Sequence, residues 1–468
     1  MVKDNIRVKI KVNMSNKLQE ERTQEHIDFL TEFVSMKSIS SDPNMRETSH
    51  NTASFLMQQL LILGAEAEII HQDDGNPAVI AKLGDEEDLK TILIYGHYDV
   101  QPASKEDGWD TEPFELTEKD GYLYGRGATD DKGPITSTLF AIKEMLDDGV
   151  FAVNLRFIYE GMEESGSVGF EEIVNSQLDF FGKVDGVVVI DNYWLGTNRP
   201  CLTYGLRGMA YVMIEVSGPK QDLHSGIEGG VIREPMTDLI RIMSKLQRTD
   251  GMPMISQFGE DVRPITPEEK ALYKDIDFNL EEYKNALGVS ALNSEDAQEL
   301  LMKKWRFPTF SLHGIEGAFS GPGGKTVIPW KVTGKVSMRL VPDQDPEKIV
   351  ELVKKQINTV WSVLNSPNKL NISGFSGDWW LGDPTNYLFK AADKAIQEIW
   401  NQKPMYTREG GSIPAVPFME KVFDAPAMML AIGQSTDSAH SQNEKIRILN
   451  LINGKEVIKQ MLLNLGKD

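Results

Sequence analysis

The sequence has a single cysteine, Cys201. No internal disulfide can form, which points to a reducing compartment. The segment NRPCLTYG places no histidine beside the thiol, so Cys201 reads as a small buried hydrophobe rather than a nucleophile. Long apolar runs are missing too: none approaches the ~18 residues that a membrane span requires. The first residues, MVKDNIRVKIKVNM, alternate Ile6, Val8, Ile10 and Val12 with Arg7, Lys9 and Lys11, and so lack the uninterrupted apolar stretch of a signal peptide. Residues 1–14 read as a tail or a short edge strand. These absences give the expectation of a cytoplasmic protein without membrane partners. Positive charge is scarce: 49 Lys and Arg stand against 70 Asp and Glu, a net charge of −21. That balance argues against nucleic acid as a partner, because phosphate contacts need a basic face. It suits a protein that binds metal cations. Internal repeats and low-complexity tracts are also absent, and the globular composition excludes disorder as the main state and a fibrous repeat.

What remains is ordinary globular composition, 40% hydrophobic and 25% charged, in 468 residues. At roughly 150 residues per domain this length corresponds to two or three domains. A helix is expected from near Gln24, with Ile27, Leu30 and Val34 at helical spacing, and a second from about Thr48 to Leu63. Strand-like runs follow: AEAEII, PAVIAKL and TILIYG, then NLRFIYEG and GVVVID beyond the helical TSTLFAIKEMLDDG. Strands alternating with helices indicate an α/β layered domain, in which functional groups gather past the carboxyl ends of the strands. After Tyr204 the texture changes. An alternating strand (GMAYVMIEVSG), an amphipathic helix (REPMTDLIRIMSKLQR), a polar loop-rich stretch, two strands (FPTFSLHGIEGAF, PWKVTGKVSMRLVP) and a helix (PEKIVELVKKQINTVW) form an inserted α+β unit. Near Tyr387 the α/β texture returns.

Five places put metal-type ligands just past apolar runs: His97 and Asp99 in TILIYGHYDVQP, Asp130 and Asp131 in LYGRGATDDKGP, Glu163 and Glu164 in FIYEGMEESGS, Asp191 in VVVIDNYW, and His440 in MMLAIGQSTDSAHSQNE. Each alone has an ordinary explanation, since an Asp after a strand often caps the next helix. Five together are poorly explained by coincidence. Imidazole with several carboxylates suits zinc or manganese, and so many anionic oxygens suit two ions. Residues i and i+2 of a strand face the same way, so Asp99 is expected behind His97, accepting its ring N–H. Of the neighbours Glu163 and Glu164, one can ligate metal while the other serves as general base on water.

The segments YGHYDVQP, YGRGATDDKGP, EGMEESGS, DLHSG and STDSAHSQNE resemble the signatures of the dinuclear-zinc metallopeptidases that include carboxypeptidase G, aminoacylase and carnosinase. DGWDTEPFEL, TREGGSIP and AHSQNEKI are most similar to the branch of cytosolic nonspecific dipeptidases, carnosinases and Cys-Gly dipeptidases. The similarity runs from about residue 24 to the end. It implies a zinc-exopeptidase-like catalytic domain with a central mixed sheet flanked by helices, at 15–205 and 381–468, and an inserted α+β lid and dimerisation domain at 206–380. It implies that His97 and Asp191 hold one metal, Glu164 and His440 the other, and that Asp130 bridges both and is followed by a cis peptide. It implies Asp99 as the residue that orients His97 and Glu163 as general base and then proton donor. His224 would enter the site of a partner subunit of a homodimer and stabilise the oxyanion. Arg339, Gly411 and Ser412 would hold the substrate carboxylate, with Thr326 nearby. The implied activity is metal-dependent hydrolysis of dipeptides with two Zn2+ or Mn2+ ions per subunit. The same site chemistry would serve an N-acyl amino-acid or succinyl-diaminopimelate amidohydrolase, or a carboxypeptidase, and more remotely a non-catalytic binding protein would use the same scaffold.

Read without the resemblance, Arg339 in KVSMRLVP is either a solvent-facing charge or, by its fork geometry, a carboxylate binder. His224 in QDLHSG is a loop imidazole. Tyr98 departs from the smaller residue of many relatives, but in a strand it faces away from His97. GPGGKT at 321–326 imitates the end of a phosphate-binding loop. The pattern requires glycine where Phe319 stands, and a helix where TVIPWKV reads as strand, so nucleotide binding is rejected.

Overall fold

The computed structural model describes residues 21–73 and 75–467, so the reading of residues 1–14 lies outside the described residues. A nine-stranded sheet runs in the order Glu66–Ile70, Ala78–Leu83, Asn154–Glu160, Thr91–His97, Gly186–Val189, Ala427–Leu430, Cys201–Leu206, Trp380–Leu381, with Met405–Glu409 also paired to Cys201–Leu206. Its centre is parallel: Thr91–His97 lies parallel to both Asn154–Glu160 and Gly186–Val189, which in turn lies parallel to Ala427–Leu430. The flanks are antiparallel, so the sheet is mixed. The central strands are buried throughout, as expected for strands covered by helices on both faces. The covering helices include Lys132–Asp147, Tyr387–Trp400 and Ile448–Leu465. One apolar core runs through this layer and also takes in Leu30, Phe33 and Val34 of the first helix.

The segment between Leu206 and Trp380 builds a second sheet of four strands, ordered Thr309–Glu316, Lys331–Leu340, Gly208–Ser217, Lys369–Gly377, all antiparallel. Gly208–Ser217 alternates buried and half-buried residues along its whole length. Ala210, Val212, Ile214 and Val216 face a separate core shared with Leu239 and Ile242 of the Pro235–Met243 helix and with Ile349, Val353 and Ile357 of the Pro346–Leu364 helix. No helix among the described residues is long and apolar enough to cross a membrane. Cys201 is buried, and burial pushes its thiol up to about 12.

Three local expectations need correction. The first helix is already formed at residue 21 rather than near Gln24, because helical periodicity registers only the turns that pack. The Arg233–Arg248 helix is shorter, Pro235–Met243, and Arg233 lies outside it, donating to Asp238 at 2.5 Å. The stretch read as loop-rich contains three helices, Pro267–Lys274, Leu280–Leu287 and Ala297–Trp305. Each starts with a capping residue, Thr266, Asn279 or Asp296, whose side chain accepts backbone N–H bonds. Glu269, Glu282 and Glu299 stand three residues further on, so the capping spacing was present in the sequence while the apolar periodicity was too short to show.

The turn that delivers Asp130 depends on close packing. Gly133 opens the Lys132–Asp147 helix so near the preceding loop that a Cβ there would stand 2.1 Å from the Ala128 carbonyl oxygen. Gly133→Ala is expected to cost about 1–3 kcal/mol of stability as forced overpacking. Denaturant unfolding checks this: the midpoint should fall at unchanged slope, and a midpoint equal to the parent's would show that the turn opens freely.

Candidate metal centre

Asp130 sits at the tip of the turn before the Lys132–Asp147 helix, and its peptide to Asp131 is cis. Two buried acids from the C-terminal loop hold that turn. Glu444 accepts from the backbone N–H groups of Thr129 and Asp130, both at 3.1 Å, and from Arg126 Nη1 at 2.7 Å. Asp437 accepts from Thr129 Oγ1 at 3.1 Å and from the Gln434 amide at 2.8 Å. Asp131 turns the other way and accepts from the backbone N–H of His97 at 3.2 Å. Sequence reasoning assigned none of these roles. Glu444 and Asp437 lay inside the His440 motif, but nothing local told what they would bind.

His97 is the last residue of its strand and is fully buried. Its Nδ1 lies 3.1 Å from the Asp99 backbone carbonyl and 3.5 Å from the Asp99 carboxylate. Asp99 therefore stands behind the ring, its carbonyl nearest to Nδ1 and its carboxylate just beyond. The same carboxylate also accepts from the amides of Glu163 at 3.2 Å and Glu164 at 3.1 Å. Asp99 thus ties the end of one strand to the acidic turn that follows its neighbour, Asn154–Glu160. Tyr98 faces away from His97, as read from the strand, and donates to the Pro77 carbonyl at 2.6 Å.

With Nδ1 occupied, His97 aims Nε2 at Asp130 Oδ1, 2.9 Å away, and at Asp191 Oδ2, 3.8 Å away. On the other side of Asp130, His440 Nε2 lies 3.0 Å from Asp130 Oδ2 and 2.9 Å from Glu164 Oε2. Glu164 is steadied by Gln101 Nε2 at 2.9 Å. Two trios result, His97–Asp130–Asp191 and Asp130–Glu164–His440, and in each the donor atoms lie within 4.8 Å of one another. The charges are crowded. Burial pushes Asp191 up to about 7, and Asp130 adds to the rise. Burial also raises Glu163 well above the usual carboxylate range, against the pull of His97. Burial would raise Asp130 too, but hydrogen bonding from His440 and His97 outweighs it and holds that carboxyl well below the usual range. Buried charges of this density are stable when paired or coordinated. Two imidazoles and three carboxylates, with one carboxylate shared, form a donor set that fits divalent metal ions.

Asp130, Glu163, Asp191 and His440 line one cleft, with room for about 380 Å3 of solvent, together with Gly411 and Ser412. Arg339 lies behind this wall and donates from Nη1 to Ser412 Oγ at 2.8 Å. Lys304 and Glu409 also face the cleft. Neither was singled out from the sequence, since a lone Lys or Glu carries no local signal. His224 and Thr326 are not brought to this cleft. They lie beside each other on the second sheet's side, exposed, where His224 pairs with Val327 and the Thr326 carbonyl accepts from the Ser225 amide at 3.1 Å.

The profile of Peptidase family M20/M25/M40 matches residues 93–464. Among curated proteins, the Cys-Gly metallodipeptidase DUG1 of Candida albicans is 45% identical over 466 residues, covering 96% of each chain. The Beta-Ala-His dipeptidase of Mus musculus is 40% identical, covering 95% of this chain and 93% of its own. Among solved structures, the dipeptidase Dug1p of Saccharomyces cerevisiae superposes with a TM-score of 0.88 at 40% identity, over 96% of this chain and 97% of that one. Both sheets therefore have counterparts in a solved relative. The protein belongs to peptidase family M20/M25/M40 and is a metal-dependent peptidase.

Proposed function

We propose that the protein hydrolyses the peptide bond of free dipeptides at a two-metal centre. His97 and Asp191 would hold one Zn2+ or Mn2+ ion and Glu164 and His440 the other, with Asp130 shared between the two sets. The observation that carries it is the pair of ligand trios sharing Asp130, at the floor of a cleft walled by Gly411 and Ser412. The names of the full-length relatives, Cys-Gly metallodipeptidase and Beta-Ala-His dipeptidase, support a dipeptide as the substrate.

Bound divalent ions supply Lewis acidity, polarising the scissile carbonyl and making water acidic enough to react near neutral pH. The chain does the rest. Glu163 lines the cleft without belonging to either trio, so its carboxylate is available to take a proton from the attacking water and return it to the leaving amine. Asp99 holds the amides of Glu163 and Glu164, so the base and one ligand keep their positions together. Arg339, braced by Ser412, receives the substrate carboxylate, which fixes the scissile bond relative to the ligand trios.

The division into a catalytic part (15–205 and 381–468) and an inserted lid (206–380) is part of the proposal. The two separate cores support it. So is a homodimer formed through the lid. Exposed His224 and Thr326 have no role in the cleft of their own chain, which supports a contribution to the partner's.

Three outcomes are expected. Metal-stripped protein resupplied with zinc or manganese should cleave Ala-Gly or Cys-Gly, and leave the N-acetylated dipeptide and a tripeptide intact. Preference for the acetylated compound would transfer the assignment to an amidohydrolase, and preference for the tripeptide to a carboxypeptidase. Glu163→Gln should bind metal as the parent does and lose turnover by roughly 100-fold or more, the usual range for a general base. Near-parental activity in that variant would sink the assigned mechanism. Mixed His224→Ala and Glu163→Gln subunits should regain activity that neither variant has alone. No recovery, with subunit exchange demonstrated, would remove His224 from the partner's site.

A further inference from the structure

Arg207 joins the two sheets: it lies between Leu206, the last residue of a strand in the large sheet, and Gly208, the first residue of a strand in the small one. From this joint it grips three consecutive residues, of which Gly411 and Ser412 line the cleft. Its amide donates to the Gly411 carbonyl at 3.1 Å, its carbonyl accepts from Ser412 Oγ at 2.5 Å, and its Nε donates to the Gly410 carbonyl at 3.1 Å. Its Nη1 extends to the start of the small sheet's outer strand, reaching Thr309 Oγ1 at 3.3 Å and the Phe307 carbonyl at 3.4 Å. Thr309 is in turn the strand partner of Arg339. The side chain therefore bridges Gly410 to the strand pair that carries Arg339, while the Arg207 backbone holds Gly411 and Ser412.

The charge is arranged in the same direction. Every hydrogen bond that Arg207 and Arg339 donate from their guanidinium groups, among the described residues, goes to a neutral oxygen. Burial and then the proximity of Arg339 push Arg207 down to about 10. Glu409 nearby offsets part of this charge without hydrogen-bonding to either guanidinium among the described residues, and an incoming anion would relieve the remainder. The loop is also fitted to the arginine: a Cβ on Gly410 would stand 3.1 Å from Arg207 Nη2 and 3.2 Å from the Lys304 carbonyl oxygen.

We propose that the Arg207 side chain is a positioning group for substrate-carboxylate recognition: by holding Gly410 to the start of the small sheet's outer strand, it sets the loop that carries Ser412 and, through it, Arg339. Arg207 then acts through these groups, and the carboxylate is recognised only while the small sheet keeps its orientation to the large one. This rests on the reading of Arg339 as the carboxylate binder.

The test compares Ala-Gly with its C-terminal amide, using metal-loaded enzyme. Arg207→Met should raise KM for Ala-Gly by about tenfold while kcat changes far less, as expected for lost binding rather than lost chemistry. The ratio of kcat/KM for acid over amide should fall by a similar factor, with bound metal unchanged. Arg207→Lys, which restores charge but not the fork, should recover part of the ratio. Arg339→Met separates the two ideas. If it collapses the ratio and Arg207→Met leaves it at the parent's value, the positioning role is overturned and the carboxylate reading stands. If Arg339→Met also leaves the ratio unchanged, the carboxylate reading itself falls. Should Arg207→Met not fold, Gly410→Ala displaces the guanidinium from the loop side. The same fall in the ratio is then expected, and an unchanged ratio overturns the proposal.

Discussion

The arrangement of this protein depends on keeping several carboxylates together where water is scarce. Asp130, Asp191, Glu163 and Glu164 converge with two imidazoles at one end of the large sheet. Two like charges 4 Å apart at an effective dielectric near 20 repel by about 4 kcal/mol. Local structure cannot absorb that on its own. The groups are held instead by the ends of separate, deeply buried strands and by a turn packed too tightly for a side chain at Gly133. The repulsion is thereby spread over the core, and a divalent cation is the natural counter-charge for what remains.

Around that cluster the supporting contacts divide into two kinds. Amide donors steady acids: Glu163 and Glu164 donate to Asp99, and Thr129 and Asp130 donate to Glu444. Buried basic side chains brace the same turn. Arg126 pairs with Glu444 at 2.7 Å, and Lys132, fully buried, donates to the Phe33 and Met36 carbonyls at the end of the first helix at 2.9 and 2.6 Å. That last contact ties the ligand turn to the N-terminal helix, so the first helix takes part in positioning the centre although it carries no ligand.

The cleft also draws on both sheets. Its floor comes from the large sheet, while Arg339 comes from the small one and reaches the cleft only through Ser412. Lys304 arrives from one of the short helices that the apolar pattern concealed. Such a cleft has one wall whose position follows the orientation of the small sheet. If Arg339 receives a substrate carboxylate as proposed, its distance from the acidic cluster would measure substrate length.

The α/β alternation, the change of texture after Tyr204 and its reversal near Tyr387 were legible because apolar periodicity is a local property. The five segments rich in candidate ligands were legible because acids and imidazoles concentrate there after apolar runs, most directly where His97, Glu163 and Asp191 follow buried strands. Capping at Thr266, Asn279 and Asp296 was equally local and equally available, but these helices are too short for their apolar faces to show a period. Tertiary structure alone decided the partnerships. Glu444 meets the Asp130 amide from 314 residues along the chain. The Asp99 carboxylate meets the amides of the acidic turn as well as standing beside the His97 ring, because that turn follows the strand next to its own. Arg207 finds the 410–412 loop because the strand before it pairs with Met405–Glu409, and Gly410 lies 203 residues along the chain. Residue types and their periods determine which elements form and which chemistry they carry. Which acid steadies which ligand depends on contacts across the fold, and no local pattern encodes a partner hundreds of residues away.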